Sequence, residues 1–546
     1  MRLKPKYAWF LAFTAVFAAL AGFVFWGTWS LDTVPVMPDA EICYPLDHAY
    51  RCLRSVVESC KFHPLELRNF LGVPYFWQEL RYVVSLYLAA LGMAYFCRGR
   101  GLGRLASYGA GLLLGFCGYW MTLYSAGHFG WFQWMSYGVF AFGLADRAVR
   151  KNKLKNWLLL GATVSWAGFN QQDLWLFFTL FTAVYLLWCC FRERRFPWKG
   201  MLAASAVFIA VGVPNFIDVF SNVVQGRKAQ MARGENITDQ NASKKDQGWE
   251  FVTNWSMPPE DAIEFFVPRV HGDTSCPFVL SISSRLGNDI KPYAGRLGRP
   301  MNASAGNYRQ HSLYVGRVTC FLVLASLLAF FTKRGKSICR RDLAFFSVAA
   351  VVFFLLSLGR FCEPVYRLIF ALPFGSLIRC PVKWHHLTEF CLVFMAGCGI
   401  EMILRYAENV RLRIGGINPA VAAFALLVVW GAVDLAIEDK RYCAPINVKA
   451  ARGSGSSVRL SVLSRADFSK PQVMQMVNAG QIFSIANYMG NPNYYLVGVL
   501  SRYGAHTGKD VPPLLAVFGV FSVLTTLGVG VFAVRTSKRR HDCRPR

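Results

Sequence analysis

The sequence predicts an all-α polytopic membrane protein of about twelve transmembrane helices. It adds large loops on one side of the bilayer and a small mixed α/β segment before the last helix. Three observations carry this prediction. The chain of 546 residues is 54% hydrophobic. Its apolar residues come in runs of roughly 16 to 23 with few charges, the length of a helix that crosses a bilayer. The connections rich in Lys and Arg fall on alternate gaps between those runs, which is the positive-inside pattern.

The first run, Trp9 to Trp29, follows "MRLKPKY". It is too long for the h-region of a signal peptide and no small-x-small cleavage site follows it, so it reads as a retained first helix. The remaining runs are 80–97, 105–124, 129–145, 157–170, 174–191, 201–223, 313–331, 343–358, 387–404, 418–437 and 512–534. With the N-terminus inside, the inside segments are "MRLKPK", "RGRGLGR", "RAVRKNKLKN", "RERRFPWK", "KRGKSICRR", "RYAENVRLR" and "RTSKRRHDCRPR". All are short and basic. The short outside turns "SAGHFG" and "NQQD" hold neither Lys nor Arg. Both termini are therefore expected in the cytoplasm. Much of the net charge of +28 is a topology signal, so nucleic-acid binding is excluded as the reason for it.

The sixteen Cys are scattered, seven of them inside apolar runs where Cys acts as a small apolar residue. No CxxC pair or metal spacing occurs. Cys43, Cys52 and Cys60 fall in the first outside segment, where an oxidising compartment permits a disulfide between two of them.

Domain organisation follows from the spans. Residues 1–437 form a transmembrane domain with outside loops 30–79, 224–312 and 359–386. Residues 438–511 mix short β-type runs ("SVRLSVLS", "YYLVGVL") with Gly and Asn turns, an outside segment. Residues 512–546 supply the last helix and a basic tail. A channel keeps its machinery at the midplane with short loops. Large loops on one face point instead to chemistry at that surface.

Three constellations in these loops carry candidate chemistry. The first is "DTVPVMPDAEICYPLDHAYR", residues 32–51, an acidic cluster in a basic protein. Asp39, Glu41 and Asp47 are interleaved with apolar residues, as in a segment packed on the membrane. A carboxylate in a partly dry site serves as a general base or binds a divalent cation such as Mg or Mn, for which Asp39 and Glu41 are the candidates. The second is "FGSLIRCPVKWHHLTEF", residues 374–390. Pro381 disfavours helix at Cys380, so a helix starts after it. Its N-terminal amides with Arg379, Lys383 and His385 suit a phosphate. Interfacial snorkelling is the plainer account of the same cations. "RFCEPVYRLIFALPF" before it reads as a re-entrant helix. The third comprises His128 in "YSAGHFGWFQW" and Gln172 and Asp173 in "WAGFNQQDLW", polar groups beside aromatic rings that suit a sugar.

Two further features complete the outside face. In "SMPPEDAIEFFVPRVHGD", Ser256 is expected to cap a helix with Pro258 and Pro259 in its first turn. Ile263, Phe266 and Val267 give it an apolar face along the membrane. Asp218 and Asp434 lie near outside span ends, and intramembrane acids mark paths or active-site walls.

The order of these motifs carries a resemblance: "PDAEICYP" after the first span, "SAGHFG", "NQQD", "PPEDAIEFFVPRVHGD", then "LSLGRF" and "VYRLIFALPFGSLIRCPVKWHH". Together they resemble the YfhO-like bacterial membrane proteins of the GT-C glycosyltransferase superfamily. The likeness covers most of the chain and is weakest beyond residue 440. It implies a GT-C-like fold, a bacterial inner membrane location and an extracytoplasmic active site. It implies a polyprenyl-phosphate-linked sugar as donor and a cell-envelope glycan or polymer as acceptor, with inversion. Asp39 matches the position of the superfamily's catalytic base. Arg379, Pro381 and Lys383 match its Arg-x-Pro-x-Lys-type segment, although Cys380 stands where a polar residue is expected. Glu41 or Asp47 orients Asp39 or holds a metal with it. The alternatives are a transporter or flippase of an anionic lipid-linked glycan, which needs the cations but no base, and a non-catalytic membrane scaffold.

Overall fold

The computed structural model describes residues 5–26, 33–35, 76–119, 124, 129–168, 172–218, 228, 244–272, 293–294, 312–328, 340–372, 375, 378, 380–407, 413–414, 418–442, 445–447 and 513–542. At 172–173 and 217–218 the backbone alone is described.

Each of the twelve predicted apolar runs coincides with a helix. In chain order these are α1 (Pro5–Val24), α2 (Phe76–Gly99), α3 (Arg104–Gly115), α4 (Phe129–Lys151), α5 (Leu154–Trp166), α6 (Gln172–Arg192) and α7 (Trp198–Asp218). A helix outside the apolar runs, α8 (Lys244–Thr253), comes next. Then follow α9 (Arg317–Leu328), α10 (Arg340–Ser357), the short α11 (Glu363–Phe370), α12 (His385–Ala407), α13 (Pro419–Lys440) and α14 (Pro513–Asp542).

Not all are long and apolar enough to cross a membrane. Among the described residues six are: Tyr7–Val24, Tyr82–Gly99, Leu174–Arg192, Trp198–Phe216, Pro381–Ala407 and Pro419–Lys440. A seventh arises if α10 and the bent stretch Gly359–Phe370 after it count as one span. For three of the other helices the reason is physical. α3 has 12 residues and α5 has 13, and at about 1.5 Å per residue each falls well short of a hydrocarbon core of about 30 Å. α4 is long, but Asp146, Arg147, Arg150 and Lys151 load its last turns with charge.

The helix surfaces show the solvent they are built for. Along α6, Leu176, Leu180, Val184, Leu187 and Phe191 are exposed. These positions repeat every three or four residues and so form one apolar stripe. The opposite face, Trp175, Phe178, Phe181 and Tyr185, is buried. Water would reject such an outward stripe, so the chain is membrane-embedded and polytopic.

The bundle is organised around α12, the most buried candidate span, with 83% of it inside the protein against 28% for α1. α3, α9 and α10 pack directly on it, while α2 links to α4, α4 to α5 and α6, and α5 to α7. Two close approaches need glycine. A Cβ on Gly399 of α12 would lie 2.1 Å from the Leu322 carbonyl of α9, and one on Gly161 of α5 would lie 2.2 Å from the Ala204 carbonyl of α7. Small residues at such crossings let membrane helices touch backbone to backbone. α14 joins the outer layer, where Ser522 donates to the Val211 carbonyl (2.8 Å) and Trp166 Nε1 donates to Thr526 (3.2 Å).

The basic helix ends meet at one end of the bundle. Arg100 after α2 binds Asp146 of α4 (2.6 Å) and Asp342 of α10 (2.5 Å), and Arg192 of α6 binds both carboxylates at 2.5 Å. Arg150 reaches Asp146 at 2.7 Å, and Trp188 Nε1 donates to Asp342 at 3.1 Å. Nearby, the Gly103 amide donates to Glu401 of α12 (2.6 Å), and Lys155 of α5 donates to Ser537 of α14 (3.0 Å). The basic connections after α2, α4 and α6 thus meet at one end of the described bundle. Which end faces the cytoplasm is open to cysteine labelling. In a background freed of accessible cysteines, Lys336→Cys should be labelled only after permeabilisation and Gly234→Cys in intact cells. Labelling of both from the same side would overturn the predicted topology.

At the opposite end α1 and α13 are tied together. Lys440 at the end of α13 sits over the Phe23 ring of α1 (4.2 Å). Just beyond, β1 (Thr33–Pro35) pairs antiparallel with β2 (Pro445–Asn447), Val34 opposite Ile446. Of the expected α/β segment 438–511, residues 438–440 end α13 and 445–447 form β2, and most of the rest lies outside the described residues.

Candidate functional site: a buried polar cluster at the start of the central helix

The entry into α12 is built from strained backbone. Pro381 keeps Cys380 out of the right-handed helical region, and Cys380 adopts φ 65°, ψ 75°. A 3-10 turn over Pro381–Trp384 then leads into α12. Two more left-handed residues converge on this turn. Trp255 has φ 68°, and its carbonyl accepts from the Val382 amide (3.2 Å). Gly359 has φ 51°, and a Cβ there would strike Ser256 Oγ at 2.1 Å and Pro381 Cγ at 2.6 Å. Left-handed non-glycine residues cost on the order of 1–3 kcal/mol each and persist where the surroundings over-determine them. Here the surroundings are hydrogen bonds. Met257 N donates to Ser357 O (3.0 Å), Arg360 N to Ser256 Oγ (3.0 Å), Arg360 Nε to Thr253 O (3.2 Å) and Tyr119 OH to Val382 O (3.3 Å).

This corrects one expectation. Ser256 does not cap a helix; its hydroxyl donates to Thr253 O (2.6 Å) and receives the Arg360 amide. The helix is a single 3-10 segment, Pro259–Phe265, entered from Pro258. Two prolines and an extended Pro258 leave no room for a capping serine next to the first turn. Its surface is inside-out. Asp261 and Glu264 are buried, whereas Ile263, Phe266 and Val267 are exposed, as the membrane-facing expectation requires. Glu264 accepts from the His271 amide (3.0 Å) and Asp261 from the Tyr293 hydroxyl (3.1 Å). The expected re-entrant turn after α10 also appears, as a 115° bend between α10 and Gly359–Phe370.

The strained turn encloses a cluster of charge. Lys383 is 4% exposed, and His385, His386 and Glu389 are fully buried. Spacing of four and three residues puts both histidines on the Glu389 face of α12. His385 Nε2 lies 3.5 Å and His386 Nδ1 3.8 Å from the carboxylate. Aromatic rings wall the imidazoles: Tyr119 lies 5.0 Å from His385 and 4.3 Å from His386, Phe265 4.6 Å from His385 and Trp134 5.8 Å from His386. Trp384 stacks on Phe177 at 3.8 Å. From α13, Asp439 is 1% exposed and within electrostatic range of Glu389. Its neighbour Glu438 binds Arg269 at 2.8 Å, which docks the Pro259–Phe265 segment on α13.

The predicted site residues fare unevenly. Asp39, Glu41, Asp47, His128 and Arg379 lie outside the described residues. Gln172 and Asp173 open α6 and Asp218 closes α7, with backbone alone described. Lys383 and His385 come together in the cluster. Snorkelling would place the Lys383 ammonium at a surface, whereas the residue is buried. Asp434 is a clasp between α13 and α9: it accepts from the Tyr314 hydroxyl and pairs with Arg317 at 3.2 Å. The candidate divalent-cation ligands Asp39 and Glu41 are outside the described residues, and among the described ones no three His, Cys, Asp or Glu are grouped to hold a metal.

Sequence reasoning missed Glu389, Asp439 and Tyr119. The signal for Glu389 was present. It is an acid inside the predicted 387–404 run, and the rule that singled out Asp218 and Asp434 applies to it equally. Tyr119 carried no signal, since its role depends on where α3 ends against α12. Family models, curated proteins and solved structures were all compared with this chain, and none matches it.

Proposed function

We propose that the protein is a membrane glycosyltransferase of the GT-C type, which transfers a sugar from a polyprenyl-phosphate donor to an acceptor at the extracytoplasmic surface of a bacterial inner membrane. The observation that carries this reading is the buried Lys383. It sits in a strained turn among two imidazoles and a phenol, at the end of the bundle opposite the arginine-rich one. A lysine held there is a preorganised partner for an anion that arrives through the bilayer. The apolar outer face of Pro259–Phe265 supports a lipid donor, because it lets a prenyl chain lie against the protein beside that turn. The β1–β2 pairing supports a shared site, because it brings the chain just before Asp39 to the segment that follows α13.

In this reading Asp39 takes the proton of the acceptor hydroxyl as its oxygen attacks the anomeric carbon. The bond from that carbon to the phosphate oxygen breaks, and configuration inverts in one displacement. Lys383 and Arg379 stabilise the charge that grows on the departing polyprenyl phosphate. Removal of one such donor typically costs about 10²–10³ in rate. Lys383→Ala should therefore lower transfer by about 100-fold or more, while Lys383→Arg, which keeps the charge but alters its geometry, retains part of it. The measurement is sugar transfer in proteoliposomes charged with a polyprenyl-phosphate sugar. Sugar on the acceptor with release of polyprenyl phosphate supports the enzyme. Exchange of the donor between leaflets with no transfer would make the protein a flippase instead.

A further inference from the structure

Arg360 stands on the strained turn beside the entry to α12, half-buried. Gly359 before it has φ 51° and no room for a Cβ, which sets the direction in which the chain leaves α10. Arg360 is then anchored twice. Its amide donates to Ser256 Oγ (3.0 Å), and its Nε donates to the carbonyl of Thr253 (3.2 Å), the last residue of α8. The second bond suits a cation at a helix C-terminus, where the last carbonyls lack partners. It spends one of the five N–H donors of a guanidinium. Nη1 and Nη2 carry the other four, and these meet no acceptor among the described residues. The charge is unanswered as well. Other arginines described at this end of the bundle pair with carboxylates: Arg269 with Glu438 (2.8 Å), Arg317 with Asp434 (3.2 Å), Arg367 with Glu363 (2.6 Å) and Arg441 with Glu438 (3.6 Å). Among the described residues no carboxylate lies within ion-pair distance of Arg360, and Glu250 of α8 is only within electrostatic range. A guanidinium drawn partly out of water with no counter-charge is costly, and an incoming anion relieves that cost.

We propose that Arg360 is an anion-binding residue of the donor site, whose Nη1–Nη2 edge holds two oxygens of the phosphate on the lipid-linked sugar. This rests on the phosphate reading of Lys383 and adds a residue to it. A planar fork whose Nε is already fixed is pre-set for bidentate contact with a phosphate. Its place on the backbone suits a lipid headgroup. Residues 255 and 256 join it to the turn that carries Lys383, since the Val382 amide donates to Trp255 O (3.2 Å) and the Arg360 amide to Ser256 Oγ. The segment that leads off from Ser256 exposes Ile263, Phe266 and Val267, an apolar surface for the prenyl chain.

The first test needs no variant. The full chain in lipid nanodiscs is treated with phenylglyoxal, which attacks the Nη atoms, and labelling is read residue by residue by mass spectrometry. The probe is a short-chain prenyl-phosphate sugar. Arg360 should react without the probe and lose most of its reactivity with it. Equal labelling in both conditions would overturn the assignment. Inorganic phosphate should protect far less, because it has no chain to lie on the apolar surface. Equal protection by it would make this a site for free phosphate and overturn the donor assignment. Arg360→Gln then isolates the fork. Gln Nε2 stands as many bonds from the backbone as Arg Nε, so it keeps the bond to Thr253 O and loses the charge and the Nη pair. Its affinity for the probe should fall roughly ten- to a hundredfold, the loss of a hydrogen bond to a charged group. Its unfolding temperature should stay at the parent value. Parent-like affinity in a folded Arg360→Gln, with Lys383→Ala weakened, would overturn the role of Arg360 and leave the phosphate reading intact. No binding of the probe by the parent would overturn both.

Discussion

Asp146→Ala is expected to destabilise the protein by roughly 3–5 kcal/mol, the cost of removing one partner from a buried ion pair. Asp146 is completely buried and receives Arg100, Arg150 and Arg192 at 2.5–2.7 Å. Without it, Arg100 and Arg192 share Asp342, and Arg150 loses its carboxylate. They cannot shed their charge to escape. Burial pulls the Arg100 pKa down, but Asp342 and Asp146 outweigh that and hold it above its ordinary value. The network ties α2, α4, α6 and α10 together at one end, so its loss should loosen four helices at once. Thermal unfolding of purified protein measures this. Arg150→Ala should cost far less, because Arg150 is one-third exposed and water replaces the contact. Equal unfolding temperatures for Asp146→Ala and the parent would mean that the network adds nothing to stability.

Asp39→Asn is expected to cut sugar transfer by about 10²–10⁴-fold while expression and membrane insertion stay unchanged. The amide keeps the size of the carboxylate but cannot take the acceptor proton. Asp32→Asn should matter much less, because Asp32 lies close to the end of the first apolar run, and Asp47→Asn should fall between. The contrast with Lys383 is informative. Loss of the lysine should weaken use of the donor, whereas loss of the base should leave donor binding intact and stop the chemical step. An Asp39→Asn protein that folds and transfers sugar at the parent rate would remove the catalytic reading of the acidic cluster and favour the flippase.

The amino-acid sequence by itself determined that this chain is a helical membrane protein and where its helices run. Apolar runs and alternating basic connections are local, one-dimensional signals, and lipid imposes them on every membrane helix. It also located the α12 entry, because Pro381 acts on the residue beside it. Tertiary structure decided what the charges do. Arg100, Arg192, Asp146 and Asp342 look in sequence like members of basic connections, yet they form one buried network across four helices. Asp434, read as a path or wall, is taken up by Tyr314 and Arg317. Glu389 and Asp439 came within electrostatic range of each other only because α12 and α13 bury their facing ends together. Burial and the identity of a charge's partner are set by which helices meet, and residues far apart in the chain carry no local mark of that.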